Sequence, residues 1–358
     1  MMKQNDSWKC TWKTSEKFPA VGCTGISLIA KDGSCVQART IEGSEMDLPG
    51  IYVVIPRRQK LQSFTPKGAN GMKFMAKYGV IGLAVVRPEF IVEGINEKGL
   101  SCGLFFFPHF GRYEKFNEKK REKTIGDLQL NQWMLSQFAT VEEVIKVLKS
   151  KLVHIVGLNS SATVHWRIGD ASGRQVVLEI INATLHIHEN TVGVITNSPD
   201  FPWHLTNLNN YVNLFPGNAP RQNIGKQVLF PMGGNSGFMG IPGDATPPSR
   251  FVRAAFYCAT APKLPNAIET VKQCFHVLNN FDIPIGIEHP LGKTPDMPSA
   301  THWTSVIDLS NRMVYFKTAY NSTIRCIDLN EIDFEKVKYQ SHPFDRNKEQ
   351  PIEKIFIE

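Results

Sequence analysis

Short β-rich runs lie at both ends of this chain, and amphipathic helical segments are grouped between them. The dipeptide Asp32-Gly33 stands between two apolar alternations, which is a strong hairpin signal. Strands in two batches, separated by helices, favour a layered α+β domain over a parallel βαβ fold. The remaining β-rich runs are those at 51–56, 80–86, 91–94 and 99–106, a meander over 163–195, and the closing runs 301–309, 313–319 and 322–329.

The helical segments carry their own start signals. Apolar residues at roughly helical spacing predict a helix over 127–138. Thr140 followed three residues later by Glu143 is a capping box and predicts the start of the next helix. Two further amphipathic helices are predicted over 251–261 and 267–278, each after a proline. Their position between the strand batches gives the expected layered order.

Composition excludes several classes of protein. The chain has 358 residues, 42% of them hydrophobic, and its 22 Phe and 6 Trp can fill a large core, which argues against global disorder. The longest nearly uninterrupted apolar stretch, 80–86, is far shorter than the roughly 20 residues of a membrane-spanning helix. The net charge is +7, and the charged run 112–123 mixes acids and bases, which favours a solvated surface over a dock for an anionic partner. Without a nucleic-acid-binding motif, no nucleic-acid partner is expected.

Several chemical motifs are missing from the sequence. The seven cysteines are scattered without a CxxC pair, which argues against a disulfide framework and a cysteine-rich zinc site. No dinucleotide or phosphate loop, GxSxG or HExxH motif occurs. His186 and His188 alternate on a predicted strand, where a surface pair is favoured over a metal site.

Cys23 stands at the opening of the first predicted strand, directly after a polar leader with no packing pattern. A cysteine at a newly exposed N-terminus supplies a thiolate nucleophile, and its α-amino group, with a pKa of about 7.7–8.0, supplies a base. Arg39, on the paired strand of the hairpin, is well placed to lower the thiol pKa. A cysteine on a strand is more often a core residue, so this signal alone leaves both interpretations open.

Longer motifs favour the catalytic interpretation. The segments CTGISLIAKDG, EGINEKGLS, VGVITNSPDFPWHLTNLNNY, MGIPGDATPPSRFVRAAF and HWTSVIDLSNRMVYFKT resemble the choloylglycine hydrolase and penicillin V acylase family. The resemblance runs from Cys23 to Leu329. It implies an N-terminal-nucleophile hydrolase of linear amides with a four-layered αββα fold of two stacked, mainly antiparallel sheets. It also implies a small-molecule N-acyl amide substrate, no metal or organic cofactor, no membrane partner and a homotetramer.

The resemblance implies specific catalytic residues. Cys23 corresponds to the nucleophile and Arg39 to the arginine of the second strand. Glu42 stands where the family usually has an Asp that binds the free α-amino group, and its extra methylene can shift that geometry. Asn197 corresponds to the oxyanion-hole amide, a donor suited to charge that develops on the former carbonyl oxygen. Arg250 corresponds to the arginine that steadies the surroundings of the nucleophile.

Three further positions are expected at the substrate. Ile41, Phe105 and Phe106 are the substrate-binding candidates. Phe106 replaces the Asn of the bile-salt-cleaving pattern, and penicillin V acylases have an aromatic residue there. Because the family uses the backbone N–H of this position, the change is expected to alter specificity more than catalysis. At least one ring of the 105–107 run must face the core.

Residues 1–22 are interpreted as a leader or propeptide that is removed, and 23–358 as one catalytic domain. The chain as given has no apolar signal segment and is expected in the cytoplasm, whereas a preceding apolar segment would indicate an exported or periplasmic enzyme. Conjugated bile salts, phenoxyacyl penicillins and acyl-homoserine lactones all stay open as substrates. A family member that binds amphipathic ligands without cleaving them is the alternative.

Overall fold

The first hairpin forms as the sequence predicts, with Val21–Ile29 paired antiparallel to Cys35–Gly43. The computed structural model describes residues 21–43, 50–158, 163–287 and 300–357. Most of the predicted leader, residues 1–20, lies outside the described part. Among the described residues, no helix is both long enough and apolar enough to cross a membrane.

The strands of the described residues are short and are numbered in chain order. They are β1 Val21–Ile29, β2 Cys35–Gly43, β3 Ile51–Ile55, β4 Lys60–Gln62, β5 Lys73–Met75, β6 Val80–Ala84, β7 Ile91–Asn96, β8 Ser101–Phe106, β9 Thr124–Gly126, β10 His154–Val156, β11 Val164–Gly169, β12 Gln175–Ile181, β13 Thr184–Glu189, β14 Val194–Ile195, β15 Gln222–Ile224, β16 Gln227–Leu229, β17 Ala300–Asp308, β18 Met313–Thr318, β19 Arg325–Asp328 and β20 Gln340–Pro343.

Two large sheets hold most of these strands. One sheet has six strands in the order β14-β1-β2-β17-β18-β19, and the other has eight in the order β13-β12-β11-β8-β7-β6-β3-β20. Every neighbouring pair within both sheets is antiparallel. The parallel pair β9–β10 stands apart from them. The expectation of two mainly antiparallel sheets is therefore confirmed.

Five α-helices complete the layers among the described residues. They are α1 Leu130–Gln137, α2 Val141–Lys149, α3 Phe201–Asn207, α4 Pro247–Thr260 and α5 Ala267–Leu278, with short 3-10 helices at Glu118–Lys123, Asp127–Gln129, Leu208–Tyr211, Ser236–Phe238, Asn279–Phe281 and Leu329–Glu331. Helices α4 and α5 pack on β1, β2 and β17, and α1 packs on β6, β7 and β8. The sheets meet between these helices, so the four-layered αββα order is confirmed.

Both faces of the central strands are covered, because a helix layer lies on one side and the second sheet on the other. Every residue of β2 and of β17 is buried. Strand β2 nevertheless has the sequence CVQARTIEG and buries Gln37, Arg39, Thr40 and Glu42. Buried polar side chains are costly unless they are paired, so this concentration marks the region that carries the chemistry.

The sequence patterns did not predict β4, β5, β9, β10, β15, β16, β20 or α3, and the structure also differs from the predictions at further points. The fourth run of the predicted meander, β14, leaves the eight-stranded sheet and pairs with β1 of the other sheet. The strand predicted over 80–86 ends at Ala84, and Val86 adopts a positive φ of 66°. In the capping box, Thr140 caps α2 as predicted, but the Glu143 carboxylate accepts from the backbone of Ala139 instead of Thr140.

Candidate active site

Cys23 lies in β1 on the face directed toward the eight-stranded sheet, and it is fully buried. Side chains alternate along a strand, so Gly25 shares this face. A Cβ at Gly25 would lie only 2.7 Å from the Phe105 ring and 2.8 Å from Ile195. Glycine at this position therefore lets β8 approach β1 closely beside the thiol.

Arg39 crosses the space between the sheets to reach this thiol. Its Nη2 donates to Sγ of Cys23 at 2.8 Å, and its Nη1 donates to the carbonyls of Val92 at 2.8 Å and Leu104 at 2.6 Å. The guanidinium is fully buried and lies 4.1 Å above the centroid of the Phe105 ring. The arginine predicted from the sequence therefore contacts the predicted nucleophile directly.

The pKa of the Cys23 thiol is raised above its usual value, and burial is the largest cause. Arg39 lowers this pKa as the sequence predicts, and Arg250 and the backbone N–H of Phe106 act in the same direction, whereas Glu42 opposes them. Desolvation outweighs the effect of the two arginines. The predicted lowering of the thiol pKa by Arg39 is therefore correct, but the net pKa of the thiol is raised and not lowered. With Gly22 attached, the thiol is protonated near neutral pH.

Asn197 lies just beyond β14 and reaches the backbone of two other strands. Its Oδ1 accepts from the backbone nitrogen of Cys23 at 3.1 Å and from Nη2 of Arg250 at 2.7 Å. Its Nδ2 donates one hydrogen to the carbonyl of Phe106 at 2.8 Å. An amide nitrogen carries two hydrogens, so the second can serve another acceptor. The crossing of β14 into the six-stranded sheet is what brings Asn197 to β1.

Arg250 lies in the first turns of α4, which begins with Pro247 and Pro248. Its Nη1 donates to the carbonyl of Cys23 and, at 2.9 Å, to Oγ1 of Thr24. Its Nε donates to the carbonyl of Ala245 at 2.7 Å, and only 3% of the residue is exposed. The helix is therefore fixed to β1 through this side chain.

Glu42 and Ile41 lie beside the nucleophile on β2. Ile41 pairs with Cys23 and Glu42 pairs with Gly22, so both predicted residues neighbour the start of β1. Glu42 is buried, and its Oε1 accepts from Oγ1 of Thr301 at 3.2 Å. The carboxylate acts on the Cys23 thiol through its charge, which raises the thiol pKa. Ile41 is 2% exposed.

Phe105 and Phe106 have different environments, because neighbouring residues of a strand face opposite sides. Phe105 is fully buried between the sheets, with its ring against Arg39. Phe106 is partly buried, and its backbone N–H acts on the Cys23 thiol while its carbonyl accepts from Asn197. The expectation that at least one ring of the 105–107 run faces the core is met by both Phe105 and Phe107, and Phe106 is the one with backbone groups at the site.

A second set of polar residues lies behind Asn197, and the sequence patterns did not predict it. Nε2 of His204 lies 2.9 Å from the Asn197 carbonyl, and Nε2 of His165 lies 3.1 Å from the Thr196 carbonyl. Nδ1 of His165 contacts the Glu179 carboxylate at 3.1 Å. Although burial opposes it, hydrogen bonds from His165 and His188 lower the pKa of Glu179 to about 2. The sequence singled out His186 and His188 together as a surface pair, and no local pattern reveals that Nε2 of His188 lies 3.6 Å from the Glu179 carboxylate.

Potential metal ligands do not cluster in the stretches of chain that the structure describes. No group of three or more His, Cys, Asp or Glu side chains among those residues is arranged to hold a metal ion.

The chain is similar to known proteins over most of its length. The family model described as linear amide C–N hydrolases, choloylglycine hydrolase family, matches residues 23–342. A bile salt hydrolase/transferase of Clostridium perfringens is 31% identical over 330 residues, which cover 90% of this chain and 97% of that protein.

Solved structures give the same result. The crystal structure of a mutant conjugated bile acid hydrolase from Clostridium perfringens superposes with a TM-score of 0.81 at 30% identity, covering 93% of this chain and all of that one. A penicillin V acylase from Agrobacterium tumefaciens gives a TM-score of 0.72 at 27% identity, covering 89% and 90% of the two chains. The N-terminal-nucleophile fold expected from the sequence motifs is confirmed.

Proposed function

The chain belongs to the choloylglycine hydrolase family of linear amide C–N hydrolases, and we propose that Cys23, once it is N-terminal, is the nucleophile that attacks an N-acyl amide. The substrate is a small molecule, and the products are a carboxylic acid and an amine.

One observation carries this proposal: each polar group of Cys23 is bound by a different predicted residue. Arg39 donates to Sγ, Asn197 accepts from the backbone nitrogen, and Arg250 donates to the carbonyl oxygen. A structural cysteine in a strand requires none of these contacts. Three side chains from β2, the end of β14 and α4 converge on it, which is the preorganisation that nucleophilic catalysis needs.

The α-amino group of Cys23 is the base in this proposal. Burial raises the thiol pKa, and the two groups of the described residues that contact Sγ, Nη2 of Arg39 and the N–H of Phe106, are donors that cannot accept its proton. A free α-amine has a pKa of about 7.7–8.0 and can take the proton directly or through a water. Removal of residues 1–22 creates this amine at the position where Asn197 Oδ1 receives a hydrogen bond. Glu42, on the neighbouring strand position, provides a carboxylate for the resulting ammonium.

The reaction then proceeds in two halves. Sγ attacks the amide carbonyl carbon, and the negative charge on the oxygen is stabilised by the second Nδ2 hydrogen of Asn197 and by the N–H of Phe106. The C–N bond breaks as the ammonium of Cys23 protonates the leaving amine, and a thioester remains on Sγ. The same amine deprotonates a water molecule that attacks the thioester, and the acid is released with the thiol restored.

The acyl group is proposed to be apolar. Phe106 is the aromatic residue at the predicted substrate position, and Ile41 lies beside Cys23 on the next strand. Relatives named bile salt hydrolase/transferase and penicillin V acylase indicate which amides to test first. We therefore propose conjugated bile salts and phenoxyacyl penicillins as candidate substrates, with acyl-homoserine lactones as the alternative. We also propose that the enzyme assembles as a homotetramer.

The test combines processing, activity and adduct mapping. Intact mass spectrometry of the purified protein establishes whether residues 1–22 are lost. The processed protein is then given a glycine- or taurine-conjugated bile salt, phenoxymethylpenicillin and an N-acyl-homoserine lactone. Peptide mapping after acid quenching locates the acyl group. We expect hydrolysis of at least one amide and an acyl adduct on Cys23 alone.

Two outcomes contradict the proposal. An acyl adduct on any other residue would remove Cys23 from the nucleophile role. If no compound of the panel is hydrolysed although a free N-terminal Cys23 is confirmed, the alternative is favoured that this chain binds amphipathic ligands without cleaving them. Equilibrium binding of the same compounds would then be the positive evidence for that function.

A further inference from the structure

Two buried arginines cross between the sheets in opposite directions. Arg39 of β2 donates to the carbonyls of Val92 and Leu104 in the eight-stranded sheet. Arg167 of β11 points the other way and donates to the carbonyls of Ile26 at 3.0 Å and Ala38 at 3.1 Å in the six-stranded sheet. Both side chains are fully buried. Each sheet therefore supplies a guanidinium to the backbone of the other, and the guanidinium of Arg39 also reaches Cys23.

Glu93 of β7 joins the two arginines. Its Oε1 accepts from Nη2 of Arg167 at 2.9 Å, and its Oε2 lies 3.5 Å from Nη1 of Arg39. The Phe105 ring packs against both guanidinium groups, with its centroid 4.1 Å from Arg39 and 5.6 Å from Arg167. Arg39, Glu93 and Arg167 are called here the inter-sheet charge triad.

The strand opposite the triad leaves room for it. Gly103 of β8 pairs with Glu93 on one side and with Arg167 on the other. A Cβ at Gly103 would lie 2.7 Å from Oε2 of Glu93. Glycine at this position therefore permits the carboxylate to stand between the arginines.

The charges of the triad sum to +1. The Glu93 carboxylate lies 2.9 Å from Arg167 and 3.5 Å from Arg39, so it neutralises Arg167 more than Arg39. The positive charge of Arg39 therefore still acts on Sγ. Three desolvated charges are an expensive way to hold two sheets together, because apolar residues of similar volume are often as stabilising. Arg39 contacts the nucleophile, Glu93 contacts Arg39 and Arg167 contacts Glu93, and this continuity with Sγ indicates a role in the reaction.

We propose that Glu93 and Arg167 are positioning residues that hold the Arg39 guanidinium against Sγ of Cys23 and keep its positive charge from being neutralised. The proposal rests on the function proposed above. Glu93 fixes the position of the Arg39 guanidinium, and Arg167 prevents Glu93 from neutralising the positive charge of that guanidinium. The two residues consequently act on the thiol with opposite signs.

Other charged groups also face these residues. Besides burial, the charges of Arg39, Glu42 and Arg250 act on the pKa of the Cys23 thiol. Arg167 is affected by Glu93, by Arg39 and by the Cys274 thiol of α5, and Cys102 is affected by Glu93 and Arg167. Burial raises the thiol pKa of both of these cysteines well above the usual value, so both are neutral near pH 7, where the alkylation rates are compared.

The test measures the pH dependence of Cys23 alkylation by iodoacetamide, followed by peptide mapping, in processed enzyme. Arg167→Met leaves Glu93 to neutralise Arg39, so the alkylation rate near pH 7 is expected to fall about threefold and its profile to move to higher pH. Glu93→Gln removes the negative charge, so the profile is expected to move to lower pH. The double variant Glu93→Gln/Arg167→Met removes one charge of each sign, and its profile is expected to return toward that of the wild type.

Arg325→Met is the matched control. Arg325 also donates to a backbone carbonyl, pairs with a carboxylate (Asp345) and lies over an aromatic ring (Phe316), but at the edge of the molecule formed by β19. The Arg325→Met variant is expected to have a lower melting temperature and an unchanged pH profile of Cys23 alkylation. Melting curves are recorded for every variant, so loss of stability and change of thiol reactivity are separated.

The direction in which each variant shifts the pH profile of Cys23 alkylation decides between support and refutation of the proposal. Opposite shifts for Glu93→Gln and Arg167→Met support the positioning role. Unchanged alkylation profiles, or shifts of the same sign in both single variants, overturn it. If Arg167→Met does not fold, the comparison of Glu93→Gln with the double variant still shows whether the two charges act with opposite signs. A wild-type enzyme that acylates a residue other than Cys23 would overturn the proposed function instead, whatever the alkylation profiles show.

Discussion

The side-chain oxygen of Asn197 accepts a hydrogen bond from the backbone nitrogen of Cys23, a residue 174 positions earlier in the chain, at 3.1 Å. In the processed enzyme this nitrogen is the proposed base. The residue proposed to bind the oxyanion therefore also orients the base, so one side-chain amide serves both groups. Arg250 fixes the same oxygen from the other side at 2.7 Å.

Asn197→Ala is expected to lower kcat by about 10²–10³-fold, the usual loss for one oxyanion-hole donor. Steady-state hydrolysis of the best amide in the panel measures this loss. Asn190→Ala is the matched control, because Asn190 is also buried and its side chain bonds, among the described residues, to the nearby backbone of Gly193 and Val194. Equal losses in both variants would show that Asn197 acts through stability alone.

Cys23→Ser is expected to keep the fold and lose most of the activity, since a serine alkoxide forms much less readily than a thiolate. Circular dichroism and hydrolysis rates check the two halves of this statement. Cys35→Ser and Cys102→Ser, both at buried thiols, are expected to keep amidase activity apart from losses due to stability. Full activity in Cys23→Ser contradicts the assigned nucleophile.

Arg39→Ala is expected to move the acid limb of the kcat/KM profile to higher pH. Arg39 lowers the thiol pKa, so its removal raises that pKa and reduces the reactive fraction at any pH below it. Arg39→Lys keeps the charge but not the forked geometry that reaches Sγ and two carbonyls together, and should shift the profile less. A profile that moves to lower pH in Arg39→Ala would exclude this electrostatic role.

Arg250→Met is expected to lower kcat by about 100-fold, because Asn197 and the Cys23 carbonyl both lose a charged donor. Arg253→Met provides the comparison on the same helix. Arg253 is also buried and donates to the carbonyls of Pro242 and Asp244, away from Cys23. We expect Arg253→Met to lower the melting temperature and keep the rate per folded molecule, and a comparable rate loss in both variants would argue against the assignment.

His204 predicts a pH dependence of stability. Burial lowers the pKa of this imidazole from its ordinary value of 6.5 to about 4. The unfolded chain therefore binds the proton more readily, so the stabilisation is complete above about pH 6.5 and is lost as the pH falls toward 4. The shift corresponds to a loss on the order of 3 kcal/mol in the free energy of unfolding.

Urea unfolding between pH 7 and pH 4 measures this loss. His204→Gln keeps a donor for the Asn197 carbonyl but cannot titrate, so its free energy of unfolding should decline less steeply over that range. Parallel slopes for the wild type and His204→Gln would show that another group is responsible.

Local patterns in the sequence were sufficient for most of the individual elements. The Asp32-Gly33 turn, the Thr140 cap of α2 and the strands around 51–55 and 91–96 follow from short-range rules of turns, caps and alternation. The fold and the identities of the candidate site residues came from family motifs, because no local rule distinguishes a nucleophilic cysteine from a core cysteine.

What the sequence determined by itself is therefore most of the elements, the layered class and the residues expected at the site. Only the tertiary structure decided that β14 pairs with β1 and so delivers Asn197 to Cys23, that Glu93 and Arg167 surround Arg39, and that His204 supports Asn197. Alternation along a strand specifies which residues share a face but not which sheet the strand joins. That choice depends on burial and on backbone hydrogen bonds between segments far apart in the chain, which exist only once both sheets have packed.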